Sequence, residues 1–346
     1  MLAVILQQNP PPGETSYKHS VSVENLPIPK IEAGQVLVKL QAAAYNHRDE
    51  FIRNGLYPGI QFGSTLGSDG VGIVVDGDDE LTDQRVIICP GVGWEKDPRG
   101  PEGKYRILGL LPLPGTFAEY IVVPRKDVFP APAHLSIAEA AALPLAGLTA
   151  WRATFTKANV QSGDYVLITG IGGGVALTAL QFAVSVGANV YVTSSDDNKI
   201  KRAVELGAKG GVNYKNDAWP NHLRSLLGSN LLHSIIDGAG GPLHPKYPAL
   251  MRLGGIISVY GMTVAPQVTF TMSAVLKNVD LKGSTMGSRA EFEQMVRFVN
   301  EHRIRPIVSG VWKGLTKENV EAAYEVMRNG KQFGKLVLEF DAAQKL

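Results

Sequence analysis

The chain has 346 residues, with 34 Lys and Arg against 32 Asp and Glu for a net charge of +2, and it is 45% hydrophobic and 19% charged. That length leaves room for two domains with sizeable cores, and the near-neutral balance without a basic run offers no field for nucleic acid. The single cysteine, Cys89, excludes a disulfide framework and a four-cysteine zinc lobe, and cytoplasmic residence is the expectation.

No uncharged apolar stretch reaches the roughly 18 residues a membrane helix needs. Leu135 to Trp151 comes nearest, and Glu139 and Pro144 interrupt it. Met1-Leu-Ala-Val-Ile-Leu-Gln is short and lacks basic flanks, so it reads as a first strand and not a signal peptide. Up to about residue 130 the chain is predicted to be rich in strands. Gln35–Ala44 alternates at its start, Gly70–Val75 carries glycines, and Arg85-Val-Ile-Ile and Phe117–Val123 are two more. Short strands with frequent Gly and Pro suggest a compact, barrel-like domain. Cys89, following Arg85-Val-Ile-Ile, is expected to pack as a small apolar residue. Pro90–Pro114 holds five prolines and reads as a functional loop or a flexible lobe.

Ser136-Ile-Ala-Glu139 is a capping box before an alanine-rich helix. Pro144 interrupts that helix, a second continues through Leu148–Phe155, and the domain boundary falls here. Tyr165–Thr169 is a short buried strand, Gly170–Gly174 a turn nearly stripped of side chains, Val175–Val186 an uncharged helix, and Ala188–Thr193 a β-branched strand. Together they form a βαβ unit whose glycines let the backbone approach a pyrophosphate at the helix N-terminus. If Gly174-Val175-Ala176 ends the fingerprint, Ile171 stands where its first glycine is expected, with Gly170 one residue earlier. A helix through Asn198–Gly207 follows, then strands at Gly211–Tyr214, Ser234–Asp237, Gly255–Tyr260 and Val279–Gly283. Strands spaced by helices imply a parallel, doubly wound sheet. Ala290–Phe340 holds two helices and a last strand from Lys335, returning to the first domain.

Six separated stretches then resemble the medium-chain dehydrogenase/reductase superfamily: Ala44-Tyr-Asn-His-Arg-Asp49, Gly67-Ser-Asp-Gly-Val-Gly72, Gly115-Thr-Phe-Ala-Glu-Tyr120, Ala140–Thr149, the Gly170–Ala176 turn, and Gly334-Lys-Leu-Val-Leu. They cover nearly the whole chain in order and are most similar to the zinc-free quinone-oxidoreductase-like branch. The resemblance implies an α/β chain with a GroES-like β-barrel domain over 1–145, completed by 288–346, and a Rossmann NADP(H)-binding domain with a doubly wound parallel sheet over 146–287. It also implies a homodimer through the Rossmann sheet edge.

Zinc-binding members of that family hold the catalytic metal with Cys, His and Cys. At the matching positions this chain has Asn46, Ser68 and, approximately, Leu145, none a zinc ligand of that kind, so no metal is expected. An improvised site from His47, Asp49 and Asp69 is the alternative. The other reading makes Asp49 and Asp69 structural, with Arg48 as a partner.

NAD-binding members place an acid about 20 residues past the glycines, on the ribose 2′-hydroxyl. Here the strand ends Thr193-Ser194-Ser195, and the resemblance carries Ser194, Lys199 and Tyr214 over as 2′-phosphate contacts, favouring NADP(H). Asp196 and Asp197 read as helix N-terminal residues, the alternative being an NAD-type acid. Gly172, Gly173, Gly174 and Val175 form the pyrophosphate turn. From resemblance alone, Thr149, Gly261, Met262 and Gly287 flank the nicotinamide end. Asp237 reads as a turn residue beside the cofactor or as purely structural.

The expected chemistry is hydride transfer from NADPH to a small quinone, enone or related carbonyl acceptor, whose developing enolate needs only hydrogen-bond donors. Asn46 is the first candidate to orient the acceptor oxygen, and Tyr57 is the candidate proton donor or pocket wall. Tyr45, His47 and Arg48 stand behind them. Two alternatives remain open: an NADPH-binding structural or regulatory protein with little turnover, and a zinc-type alcohol dehydrogenase. Expected partners are the small-molecule substrate and a second copy of the chain, with neither membrane nor nucleic acid.

Overall fold

The computed structural model describes residues 1–8 and 16–340. The chain divides into two units, Met1–Leu145 with Ser288–Leu346, and Ala146–Gly287. In order, the elements are β1 (Leu2–Leu6), β2 (Val21–Asn25), β3 (Gln35–Ala44), α1 (His47–Arg53), β4 (Asp69–Asp76), β5 (Arg85–Ile88), β6 (Gly91–Val92), β7 (Arg106–Ile107), β8 (Tyr120–Pro124), β9 (Val128–Pro130) and α2 (Ile137–Ala142). Next come α3 (Pro144–Trp151), β10 (Tyr165–Ile168), α4 (Gly174–Ser185), β11 (Asn189–Ser194), α5 (Asp197–Glu205), β12 (Gly210–Asn213), α6 (Trp219–Leu227), β13 (Leu232–Asp237), β14 (Gly240–Gly241), β15 (Met251–Val259), β16 (Ala265–Val268), α7 (Met272–Leu276) and β17 (Asp280–Gly283). The chain then closes with α8 (Arg289–Glu301), β18 (Val308–Lys313), α9 (Lys317–Arg328) and β19 (Lys335–Glu339). Among the described residues no helix is long and apolar enough to cross a membrane.

In the first unit the main sheet runs β18-β19-β3-β4-β5-β9, with β8 also paired to β3. Its centre is β3, which alternates as the sequence predicts until Ala42, then buries Ala42, Ala43 and Ala44 in succession. The change follows from pairing. A register shift near Leu40 precedes the stretch where β4 and β19 flank the strand on both sides. Val36, Val38 and Leu40 pack with Val74, Val86 and Val123, while Ala43 and Tyr45 join Ile52, Phe117, Tyr324 and Leu338 in a second cluster.

Helix α1 is fixed in that cluster by Arg53, which has no exposed surface. Its guanidinium sits in the corner formed by the rings of Tyr17 and Tyr324, 4.1 and 4.5 Å from their centroids, and meets Glu321 of α9 in a two-pronged pair at 2.9 and 2.8 Å. A planar cation packed against two aromatic rings and held bidentately has one orientation, so the end of α1 is fixed.

The second unit is a six-stranded sheet, β12-β11-β10-β13-β15-β17, parallel throughout. In order of appearance this is 3-2-1-4-5-6, the doubly wound order, in which ligands bind beyond the carboxyl ends of the strands where the order reverses. The uncharged α4 buries Ala176, Leu177, Ala179, Leu180, Phe182 and Ala183. The capping box at Ser136 is made in both directions, and Pro144 starts α3, which passes into a π-helical stretch over Arg152–Lys157. Pro90–Pro114 contributes only the two-residue pair β6–β7, and Cys89 is buried, its thiol pushed up to about 12 by burial.

Candidate active site

Three neighbouring strands of the first unit converge on one buried group. In register, Ala44 of β3 faces Asp69 of β4 on one side and Val337 of β19 on the other. Lys335, 5% exposed at the start of β19, donates to Tyr45 O at 2.6 Å, Asn46 Oδ1 at 2.6 Å and Asp69 Oδ2 at 2.8 Å. Three acceptors use all three ammonium protons, which is the condition for a buried ion pair to offset its desolvation. Asp69 also accepts from Leu145 N at 2.6 Å and from Asn46 Nδ2 at 2.9 Å. The structural role read for Asp69 is therefore occupied, but the partner is Lys335 and not Arg48.

This network bears on Asn46. Its Oδ1 takes Lys335, one Nδ2 hydrogen goes to Asp69, and the other makes a long 3.4 Å bond to Ala44 O. The amide expected to orient an acceptor is committed within the protein, where it holds the start of α1. Tyr45 is likewise a core residue, its hydroxyl donating to Val320 O at 3.2 Å.

Arg48, two residues along, is 8% exposed. Its Nη1 donates to Ser68 Oγ and to Leu108 O, both at 2.6 Å. Nε reaches Tyr57 OH at 3.4 Å, and the guanidinium stands 4.9 Å from the centre of that half-buried ring. Asp49 Oδ1 lies 4.0 Å from Nη1 and has no hydrogen bond, while Oδ2 accepts from Asn46 N at 2.9 Å. Burial pushes the Asp49 carboxyl up to about 6, against the pull of Arg48, the Asn46 N–H and Lys335.

These donors do not suit zinc. At the three positions matching the family's ligands, Asn46 Oδ1 is 2.6 Å from an ammonium, Ser68 Oγ is 2.6 Å from a guanidinium, and Leu145 has no side-chain donor. Zinc takes thiolate, imidazole or carboxylate, and a dication here would stand beside two fixed positive charges. His47, Asp49 and Asp69 do not assemble an improvised site, and the described residues contain no group of three His, Cys, Asp or Glu able to hold a metal.

In the second unit the sequence-predicted cofactor residues collect at the carboxyl ends of the strands. After β10, Gly170 (φ +62°) and Gly172 (φ +135°) take positive-φ conformations that favour glycine, strongly so at Gly172. Gly173 is the N-cap of α4, without a side-chain cap. Among the described residues the N–H groups of Gly174, Val175 and Ala176 find no acceptor, which fits an anion there. The Lys199 side chain crosses the turn, its Cδ 3.0 Å from where a Gly172 Cβ would stand. Ser194 ends β11, and its carbonyl accepts from Tyr214 N at 3.1 Å just past β12. Gly172 and Lys199 are thus neighbours, as are Ser194 and Tyr214. Asp196 is the N-cap of α5, accepting from Asn198 N at 2.8 Å, and Asp197 accepts from Asn213 Nδ2 at 3.1 Å.

Further along the sheet, Asp237 ends β13 with no exposure and accepts from Thr169 Oγ1 (2.5 Å), Gly240 N (2.9 Å) and His244 Nε2 (2.9 Å). Burial alone would raise its pKa, but these bonds hold it below the usual carboxylate range. Asp237 so fixes the 238–241 turn, against which Gly261 and Met262 pack: the Met262 side chain lies 3.1 Å from where a Gly240 Cβ would be. Thr149 sits on α3 with its hydroxyl 3.7 Å from Met286 Sδ, one residue from Gly287.

Residues 32–133 match the model of the alcohol dehydrogenase GroES-like domain, and residues 174–301 that of the zinc-binding dehydrogenases. A zinc-type alcohol dehydrogenase-like protein, YogA, of Leptosphaeria maculans is 44% identical over 94% of this chain and 96% of its own. The chain belongs to the medium-chain dehydrogenase/reductase superfamily. It is an oxidoreductase of that superfamily. A second zinc-type alcohol dehydrogenase-like member, from Schizosaccharomyces pombe, is 33% identical over 90% of this chain and 92% of that one. A solved superfamily structure, a NAD-dependent alcohol dehydrogenase, superposes with a TM-score of 0.86 at 32% identity, covering 98% and 99% of the two chains. Within this superfamily member, sequence reasoning passed over Lys335 as a site residue. The available signal was a lysine opening a strand whose next residues, Leu336-Val-Leu338, are wholly apolar.

Proposed function

We propose that the chain is an NADP(H)-dependent oxidoreductase that carries a hydride to a small quinone, enone or related carbonyl acceptor without catalytic zinc. The observation that carries this reading is the pair of cations, Lys335 and Arg48, on the side chains that replace metal ligands. The relatives' names favour zinc chemistry, and the donor set argues against it in this chain. An acceptor whose carbon is already electrophilic needs hydrogen-bond donors in place of a Lewis acid.

A bound nicotinamide would supply the hydride. Gly172, Gly173, Gly174 and Val175 would hold its pyrophosphate at the start of α4, with Thr149, Gly261, Met262 and Gly287 toward the nicotinamide end. Ser194, Lys199 and Tyr214 would take the 2′-phosphate. The solved relative is a NAD-dependent alcohol dehydrogenase. Support for NADP(H) here comes from Asp196, the acid nearest in position to the NAD-type residue, whose carboxylate is occupied as a helix cap. A cytoplasmic location and a homodimer belong to the same reading. β17 is an edge strand, and Leu253, Met272, Leu276 and Leu281 lie exposed around it, which fits a second copy extending the sheet.

The test is cofactor oxidation by purified protein with an ortho-quinone, an α,β-unsaturated ketone and a simple aldehyde, NADPH and NADH in parallel. Loss of NADPH with the first two acceptors supports the reading. Tight NADPH binding without loss with any acceptor would replace it by a binding role.

A further inference from the structure

We propose that Arg48 is a catalytic residue, its guanidinium acting with the Tyr57 hydroxyl as the oxyanion-binding pair for the reduced acceptor. The inference deepens the reductase reading and rests on it for the identity of the reaction. Three of the guanidinium's five N–H groups are engaged: Nη1 gives both to Ser68 Oγ and Leu108 O, and Nε faces Tyr57 OH at 3.4 Å. The two on Nη2 have no acceptor among the described residues. The Nε–Nη2 edge of a guanidinium presents parallel N–H groups, the geometry that suits an oxyanion. Here the head group is fixed on one edge by Nη1, and the opposite edge lies against a tyrosine hydroxyl that, among the described residues, makes one long bond.

The charge is also poorly neutralised from within. Among the described residues Asp49 is the one carboxylate paired with it, at 4.0 Å and without a hydrogen bond between them. Asn46 has no well-placed donor left over. An arginine so placed does for a developing negative charge what a metal would otherwise do, and it stays protonated throughout. In the proposed step the hydride adds to the β-carbon of the enone and the C=C electrons move to the carbonyl oxygen. That oxygen rests on Nη2 of Arg48. Tyr57 O–H then gives it a proton, the resulting enol becomes the saturated ketone, and water restores the tyrosine proton. The acceptor gains two electrons and two hydrogens, and the reduced nicotinamide is oxidised.

The probe that separates this claim from turnover is 4-nitrophenol, whose phenolate mimics the enolate oxygen and is read by its own absorbance. Wild-type protein should bind the phenolate in preference to the neutral phenol, lowering the apparent pKa of the bound probe. R48Q should abolish that preference, and Y57F, which removes only a long hydrogen bond, should weaken phenolate binding several-fold. In turnover R48Q should lower kcat on the order of a hundredfold with a much smaller change in KM. Unchanged phenolate binding in folded R48Q, or in Y57F should R48Q fail to fold, overturns the proposal. If the wild type reduces no acceptor yet binds phenolate through Arg48, the reductase reading fails and the oxyanion site stands.

Discussion

At Lys335 a single side chain decides whether the start of α1 holds together. Its ammonium satisfies a backbone carbonyl, an amide and a carboxylate at once, so Lys335→Met would leave Asp69 charged and buried. Breaking a buried pair from one side costs about 3–5 kcal/mol. Urea unfolding should register a loss of that order, and D69N with K335M should recover part of it. Asp49 makes a second residue-scale prediction. Its folded-state pKa of about 6 lies above the roughly 3.9 of an unfolded aspartate. The folded chain therefore holds this proton more tightly, and stability falls as pH rises from about 4 through 6. D49N should remove that share of the slope in Tm measured against pH. Asp127, also pushed to about 6 by burial, should leave a second share in place.

At the scale of elements, the glycine turn and the strand ends carry the cofactor argument. Gly172 needs φ +135° and lies under Lys199. Gly172→Ala would add backbone strain of about 1–3 kcal/mol and crowd the lysine, and titration should read weakened binding of NADPH and NADH alike. Lys199→Ala should act differently. Losing a charge-assisted contact worth about 1.5–3 kcal/mol should weaken NADPH roughly ten- to a hundredfold and leave NADH nearly unchanged. Equal loss for both cofactors would remove the 2′-phosphate role. The βαβ unit was legible in sequence because a strand, a glycine turn and an uncharged helix signal the same structure locally. β18 was not legible: Val308-Ser-Gly-Val-Trp-Lys313 carries a central glycine and is only half buried, so it forms because β19 offers it an edge. The same limit hid the Lys335 network. Asn46, Asp69 and Lys335 are separated by 23 and 266 positions, and only strand register brings them together. Sequence reasoning singled out Asn46 and missed that its amide is already used.

At the scale of the whole molecule, one unit is built on a parallel sheet in the doubly wound order and the other carries the buried Arg48 and Lys335. The unpaired edge at β17 belongs to this scale. Leu281, on that strand, is 37% exposed, and Leu281→Lys should convert a dimer to a monomer in light scattering while the folded chain keeps its NADPH affinity. A wild-type monomer would remove the second copy from the account. The central claim is that acceptor reduction needs no zinc, and the most direct measurement is metal content set against turnover. Protein dialysed against a chelator should reduce an enone with NADPH at its full rate while carrying far less than one zinc per chain. Activity that disappears with chelation and returns in proportion to added zinc would contradict it.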